Sequence, residues 1–137
     1  MEITANAPVV SRQEMLILAP IETIWDFQTD IAAWPSWQPS VVRVKAPRTL
    51  EVGSVFIWET QGTEITSTVQ EIEAPRRIVW TGPATGMQAI HKWTFTQMDD
   101  GVMVRTEESF DGPGVEANKA SLQKMLDASL VEWLQNL

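Results

Sequence analysis

Residues 19–41, APIETIWDFQTDIAAWPSWQPSV, decide how this chain is read. Ile21, Ile24, Trp25 and Phe27 gather toward one side of a short helix. Pro20 can open that helix, because its missing N–H falls where the first turn leaves donors unpaired. Pro35 and Pro39 bias Trp34 and Gln38 toward extended geometry, so the helix stops and Trp34 and Trp37 sit on a rigid connector. The pattern describes a lid. The plainer alternative is that the same rings plug one end of a core.

Upstream, residues 9 to 19 end in MLILA and read as a first strand leading into this helix. Downstream the pattern turns to β. Candidate strands are 41–46 (VVRVKA), 54–60 (SVFIWET), 63–73 (TEITSTVQEIE), 76–82 (RRIVWTG), 87–98 (MQAIHKWTFTQM) and 102–110 (VMVRTEESF). The turn signals between them are short: Gln61-Gly62, Ala74-Pro75, Gly82-Pro83 with Gly86, and Asp99-Asp100-Gly101. Short links join antiparallel neighbours. After Gly112-Pro113-Gly114, residues 115 to 137 read as one long helix. Its stripe is Leu122, Leu126, Leu130, Trp133 and Leu137, with Glu116, Lys119, Gln123, Lys124, Asp127 and Glu132 free to face water. The expected fold is α+β, one curved antiparallel sheet around a long C-terminal helix, in a single domain spanning 1–137. A bent sheet cannot touch a straight helix along its whole length, so a gap lined by both is expected.

The chain of 137 residues has no cysteine, which excludes disulfides and thiolate metal sites and suits a reducing cytoplasm. Residues 1–10 lack the basic start and apolar run of a signal peptide, and no stretch is apolar enough to insert in a membrane. A net charge of −8 with scattered basic residues argues against nucleic acid as a partner. Seven tryptophans, four phenylalanines and no tyrosine supply much flat apolar surface with few polar handles. A single histidine makes a metal site improbable, and there is neither a glycine-rich phosphate loop nor a nucleophilic serine elbow. No cofactor is called for.

On the strand 87–98, Ala89, His91, Trp93 and Phe95 share one face, which puts the only histidine inside. On 102–110 the more apolar set is Val102, Val104, Thr106, Glu108 and Phe110, so Glu108 points inward and Glu107 toward solvent. A two-residue Asp100-Gly101 loop would set Trp93 opposite Glu108 and leave His91 and Glu108 as diagonal neighbours. An inward glutamate costs several kcal/mol unless paired, hydrogen-bonded or protonated. Two readings stand: the two residues satisfy each other as a buried network, or they face a cavity and orient a ligand oxygen or move a proton. Trp58, Trp80, Trp93 and Phe95 from the strands, Leu126, Leu130 and Trp133 from the long helix, and Trp25 and Trp37 from the lid either fill a core or stack on a flat ligand. Ser67 and Thr106 add candidate polar points.

Taken in order, APIETIWDFQTDIAAWPSWQPSV, TEITSTVQEIEAPRRIVWTG, HKWTF and DDGVMVRTEESFDG resemble the polyketide cyclase/dehydrase branch of the START-like (SRPBCC) superfamily, over roughly residues 10 to 135. The resemblance implies a helix-grip fold, in which a seven-stranded antiparallel sheet grips a long C-terminal helix over a deep apolar cavity. In that group the last helix often runs further than this one does before Leu137, so the expectation is either a shorter grip or a chain that continues beyond Leu137. Members include aromatic polyketide cyclases, hydrophobic-ligand carriers, allergen-like binders and chaperone regulators, and the fold alone does not choose among them. The first functional expectation is binding of a small hydrophobic, flat or aromatic molecule, with His91 and Glu108 as polar anchors. The alternatives are a cyclase or dehydratase in which His91 and Glu108 are catalytic, and a non-catalytic protein-interaction module.

Overall fold

The computed structural model describes residues 1–83 and 86–137. Its chain order is β1 (Val9–Ile17), α1 (Ile21–Thr29), a 3-10 helix (Ile31–Ser36), β2 (Val41–Lys45), β3 (Val55–Thr60), β4 (Thr63–Glu73), β5 (Arg77–Thr81), β6 (Gln88–Met98), β7 (Gly101–Asp111), α2 (Pro113–Glu116) and α3 (Lys119–Asn136). The strands form one antiparallel seven-stranded sheet in the order β1-β7-β6-β5-β4-β3-β2. Successive strands from β2 to β7 are neighbours because the links between them are short, and only β1 must travel, crossing to pair with β7. The sheet is curved and α3 lies along its inner face, the helix-grip arrangement. The turn expected between Gly82 and Gly86 contains Ala84 and Thr85, which lie outside the described residues.

The C-terminal stretch differs from expectation in one respect. It is two helices, because the chain leaves helical geometry between Glu116 and Lys119 and α3 starts only after Asn118. Leu126, Leu130, Trp133 and Leu134 are the buried residues of α3. Gln123 does not face water. Its side-chain amide donates to the Val10 carbonyl at 2.8 Å, and its oxygen accepts the Val10 N–H at 3.3 Å. A sheet edge with open backbone groups is thereby covered by the helix.

The segment 19–41 is a plug, which corrects the lid reading. Trp34 is completely buried and meets Phe56, Trp58, Trp80 and Trp133 with ring centres 5.7, 5.5, 5.7 and 4.9 Å away. Its indole N–H donates to the Gln28 carbonyl at 2.9 Å. Pro35 does not hold Trp34 on an extended connector; it sits inside the 3-10 helix, whose tight turn carries the ring inward. Phe27, expected on the apolar side of α1, is half exposed, and Gln28 is buried in its place.

Glu107 is also corrected. It lies on the outer face yet is mostly covered, because Arg12 stands opposite on β1 and Arg105 lies two residues before it. Both guanidinium groups reach it, at 3.2 and 3.4 Å. Among the described residues no helix is long and apolar enough to cross a membrane.

Candidate functional site

Most of the buried apolar residues fall into two clusters. One is aromatic, built around Trp34, Trp58, Trp80, Trp93 and Trp133. The other gathers Val9, Ala89, Phe110, Val115, Leu126 and Leu130 where the first half of α3 crosses the sheet. Between them lies a cavity of about 270 Å³. That volume holds a small organic molecule, since a single water needs only about 10–15 Å³ measured the same way.

Trp58, Trp80 and Trp133 form the inner wall of this cavity. Ala89, Gly82 and Phe110 lie on the sheet side, and Leu122, Leu126 and Ser129 on the helix side. The mouth is marked by the exposed residues Gln61, Thr63, Pro83 and Met125. It therefore opens between the β3–β4 turn, the segment after β5 and α3. Residues 19–41 are at the other end.

The polar centre comes from β6 and β7. The connecting turn is Asp99-Asp100, with Met98 paired to Gly101, one residue earlier than the Asp100-Gly101 loop expected from sequence. Gly101 is needed for a different reason. Its φ is +154°, and a Cβ there would stand 2.9 Å from the Ile17 carbonyl oxygen of β1. The shift places His91 directly opposite Glu108 and Trp93 opposite Thr106, not His91 and Glu108 on a diagonal.

His91 Nδ1 stands 3.4 Å from Glu108 Oε1, and Nε2 is 2.8 Å from Thr106 Oγ1. Nδ1 is buried without a hydrogen-bond partner among the described residues. Burial lowers the His91 pKa to about 3 and raises that of Glu108 to about 8. Both groups are neutral near pH 7, the imidazole as base and the carboxyl as acid. With Nε2–H donating to Thr106, the Nδ1 lone pair faces the carboxyl. Glu108 lines the cavity and keeps 15 % of its side chain accessible.

Of the residues singled out from sequence, Trp58, Ser67, Trp80, His91, Glu108, Leu126 and Trp133 line the cavity. Thr106 is fully buried behind His91 and orients it. Trp93 and Phe95 share the inward face of β6 but lie further along it, stacked on each other in the packed half. Leu130 belongs to the second cluster without lining the space. Trp25 packs edge-on against Phe95, and Trp37 edge-on against Trp133 with Phe27 on its other side. Neither borders the cavity. Sequence reasoning passed over Ala89, Gly82, Phe110 and the mouth residues. Ala89 and Phe110 carried a signal, since both share the inward faces that hold His91 and Glu108.

Among curated proteins, none matches the chain significantly in sequence. Solved structures do resemble it in fold. A hypothetical protein from Helicobacter pylori superposes with a TM-score of 0.87 at 20% identity, covering 98% of this chain and 88% of that one. The di-domain ARO/CYC StfQ from the steffimycin biosynthetic pathway gives 0.80 at 14% identity, covering 93% of this chain and 48% of its own, so this chain spans about half of it. A START superfamily protein from Mycobacterium smegmatis gives 0.75 at 14% identity, with 93% and 92% covered. Residues 8–137 match the family described as "Polyketide cyclase / dehydrase and lipid transport". The sequence match over nearly the whole chain, together with the helix-grip fold, makes this protein a member of that family.

Proposed function

We propose that this protein binds a small, neutral, largely apolar molecule in the cavity between sheet and α3, with Glu108 and His91 anchoring an oxygen of the ligand. The observation that carries the reading is a half-buried acid, Glu108, beside a buried base, His91, both lining an aromatic-walled space of about 270 Å³. Apolar walls supply affinity through burial, and one polar pair fixes orientation. A neutral Glu108 donates its O–H to a carbonyl or hydroxyl oxygen. At 3.4 Å and poorly aligned, its contact with His91 leaves that proton available.

Native mass spectrometry of purified protein, followed by tryptophan fluorescence titration with flat aromatics, tests this. A ligand at the site quenches or shifts emission from Trp58, Trp80 and Trp133, which line it. Saturable quenching that vanishes when the cavity is filled by mutation supports the reading, and no saturable response to any flat aromatic defeats it.

A second reading, a cyclase or dehydratase, is favoured by the pairing of a neutral base with a neutral acid. In such a reaction the cavity-facing Glu108 would hydrogen-bond the substrate oxygen on which negative charge develops, with His91 Nδ1, 3.4 Å behind it, positioning the carboxyl. Turnover of a bound poly-β-keto compound that is lost in His91→Ala would establish it. Binding without turnover would leave the protein a carrier.

A further inference from the structure

The strands around Glu108 send their charged side chains to the outer face of the sheet. On β1, Arg12 and Glu14 stand opposite Glu107 and Arg105 of β7, and Arg12 pairs with Glu107 at 3.2 Å. Lys92 of β6 lies opposite Glu107 on the same face and holds Glu2 at 2.6 Å. On the inner face Glu108 is flanked by Ser11 of β1 and His91 of β6, and neither carries a charge near neutral pH. Across the cavity α3 contributes Leu122, Met125, Leu126, Ser129 and Trp133. Its Asp127 accepts from Gln123 at 3.0 Å, beside Val10 at the sheet edge, and does not line the space. Lys119, Lys124 and Glu132 do not line it either. Among the described residues that line the cavity, Glu108 is therefore the only carboxyl, and no lysine or arginine faces it.

A carboxylate formed here has only water to stabilise it. The mouth between Gln61, Thr63, Pro83 and Met125 admits water, and 15 % of the Glu108 side chain is accessible. A guest that occupies the space of about 270 Å³ displaces that water. A neutral carboxyl tolerates the exchange, since its O–H donates to a carbonyl oxygen of the guest. A carboxylate only accepts, so it would lose its hydration and meet the guest's oxygen with like charge. Guest and negative charge thus compete for the same space.

We propose that loading of the cavity is gated by a proton: an apolar guest with an acceptor oxygen is held while Glu108 is a neutral carboxyl, and loss of the Glu108 proton expels it. The proposal rests on the binding reading and adds to it the regulation of that site. Burial already raises the Glu108 pKa to about 8 in the empty protein. A guest that removes the remaining water raises it further, and linkage then requires affinity to fall as pH rises through that value. Below it the carboxyl is protonated with or without a guest, so affinity is level. His91, with a pKa of about 3, titrates far below this range, and the alkaline fall belongs to Glu108.

Calorimetric titration with 2-acetylnaphthalene, a planar ketone with no titratable group, tests the proposal between about pH 6 and about pH 9. Affinity should stay level to about pH 7 and fall about tenfold from there to about pH 9. At the alkaline end each binding event should take up about one proton, read from the difference in heat between two buffers of unlike ionisation enthalpy. At about pH 6 it should take up none. In Glu108→Gln, which keeps the size of the side chain and cannot ionise, affinity should be level over the whole range. Glu108→Met takes its place if that variant fails to fold. A level affinity in the parent protein, or an alkaline fall that persists in the Glu108 variant, overturns the proposal while the binding reading stands. Absence of binding at about pH 6 removes the binding reading as well.

Discussion

His91 and Glu108 face each other across the β6–β7 pair with Nδ1 3.4 Å from Oε1, and burial holds both uncharged near neutral pH. Among the described residues, the pair is where the inner surface of the sheet gives up apolar packing for two titratable groups side by side. Thr106 fixes the imidazole from behind, and the cavity reaches the carboxyl from the front.

The pair should shape stability against pH. The Glu108 pKa rises from 4.5 to about 8 on folding, so between those values the folded protein keeps a proton that the unfolded chain has lost, and stability falls as pH rises. The His91 pKa drops from 6.5 to about 3, so over that interval the unfolded chain binds the extra proton, and stability rises with pH. The two slopes oppose each other between 4.5 and 6.5, leaving the fall from 6.5 to 8 to Glu108 alone. Its steepness is at most about 1.4 kcal/mol per pH unit. Urea unfolding of the parent and of Glu108→Gln should show the variant gaining relative stability as pH rises to 8; parallel curves would refute it.

Filling the hollow from its floor should separate binding from stability. Ala89→Leu adds apolar volume beside Gly82 and Phe110 and replaces none of the polar residues that line the cavity. A flat aromatic probe should lose at least about tenfold in affinity. The melting temperature should hold or rise, because the added atoms bury in space now lined by apolar side chains. Unchanged affinity in a folded Ala89→Leu protein would mean that the probe binds elsewhere.

Gln123→Ala removes both hydrogen bonds that tie α3 to the backbone of Val10. The expected loss is about 1–3 kcal/mol, since two backbone groups at the sheet edge lose their partner. Amide exchange should report it locally. Val10 N–H should exchange faster in the variant while amides in the β6–β7 pair keep their relative protection.

Trp34→Ala empties the centre of the aromatic cluster and should cost about 3–5 kcal/mol in chemical denaturation. Trp37→Ala should cost clearly less, because Trp37 is only half-buried and its indole N–H has no partner among the described residues to lose. Comparable losses would contradict the plug and restore the lid.

The alternation along β6 and β7 was enough to place His91 and Glu108 on the inner face, and the apolar stripe was enough to place Leu126 and Trp133 toward the sheet. Period-two and period-3.6 patterns are local, and local pattern survives in the sequence. The direct opposition of His91 and Glu108 was not legible, because Asp100-Gly101 is also a favoured hairpin pair. The glycine is instead required where β1 passes within 2.9 Å of its missing Cβ, a contact with a residue more than eighty positions away.

The tryptophans mark the same boundary. Trp58, Trp80, Trp93 and Trp133 were all rightly turned inward, yet Trp93 is packed and the other three border open space. Inward direction follows from each residue's position in its own strand or helix, and the sequence therefore determines it. Whether an inward side chain meets protein or a cavity depends on the volumes delivered to that level by every other element. Here Trp34 fills one half from the 3-10 helix, while Ser67, Gly82 and Ala89 leave the other half open. That sum exists only once the strands have paired and α3 has docked, so the tertiary structure alone decided where the hollow lies.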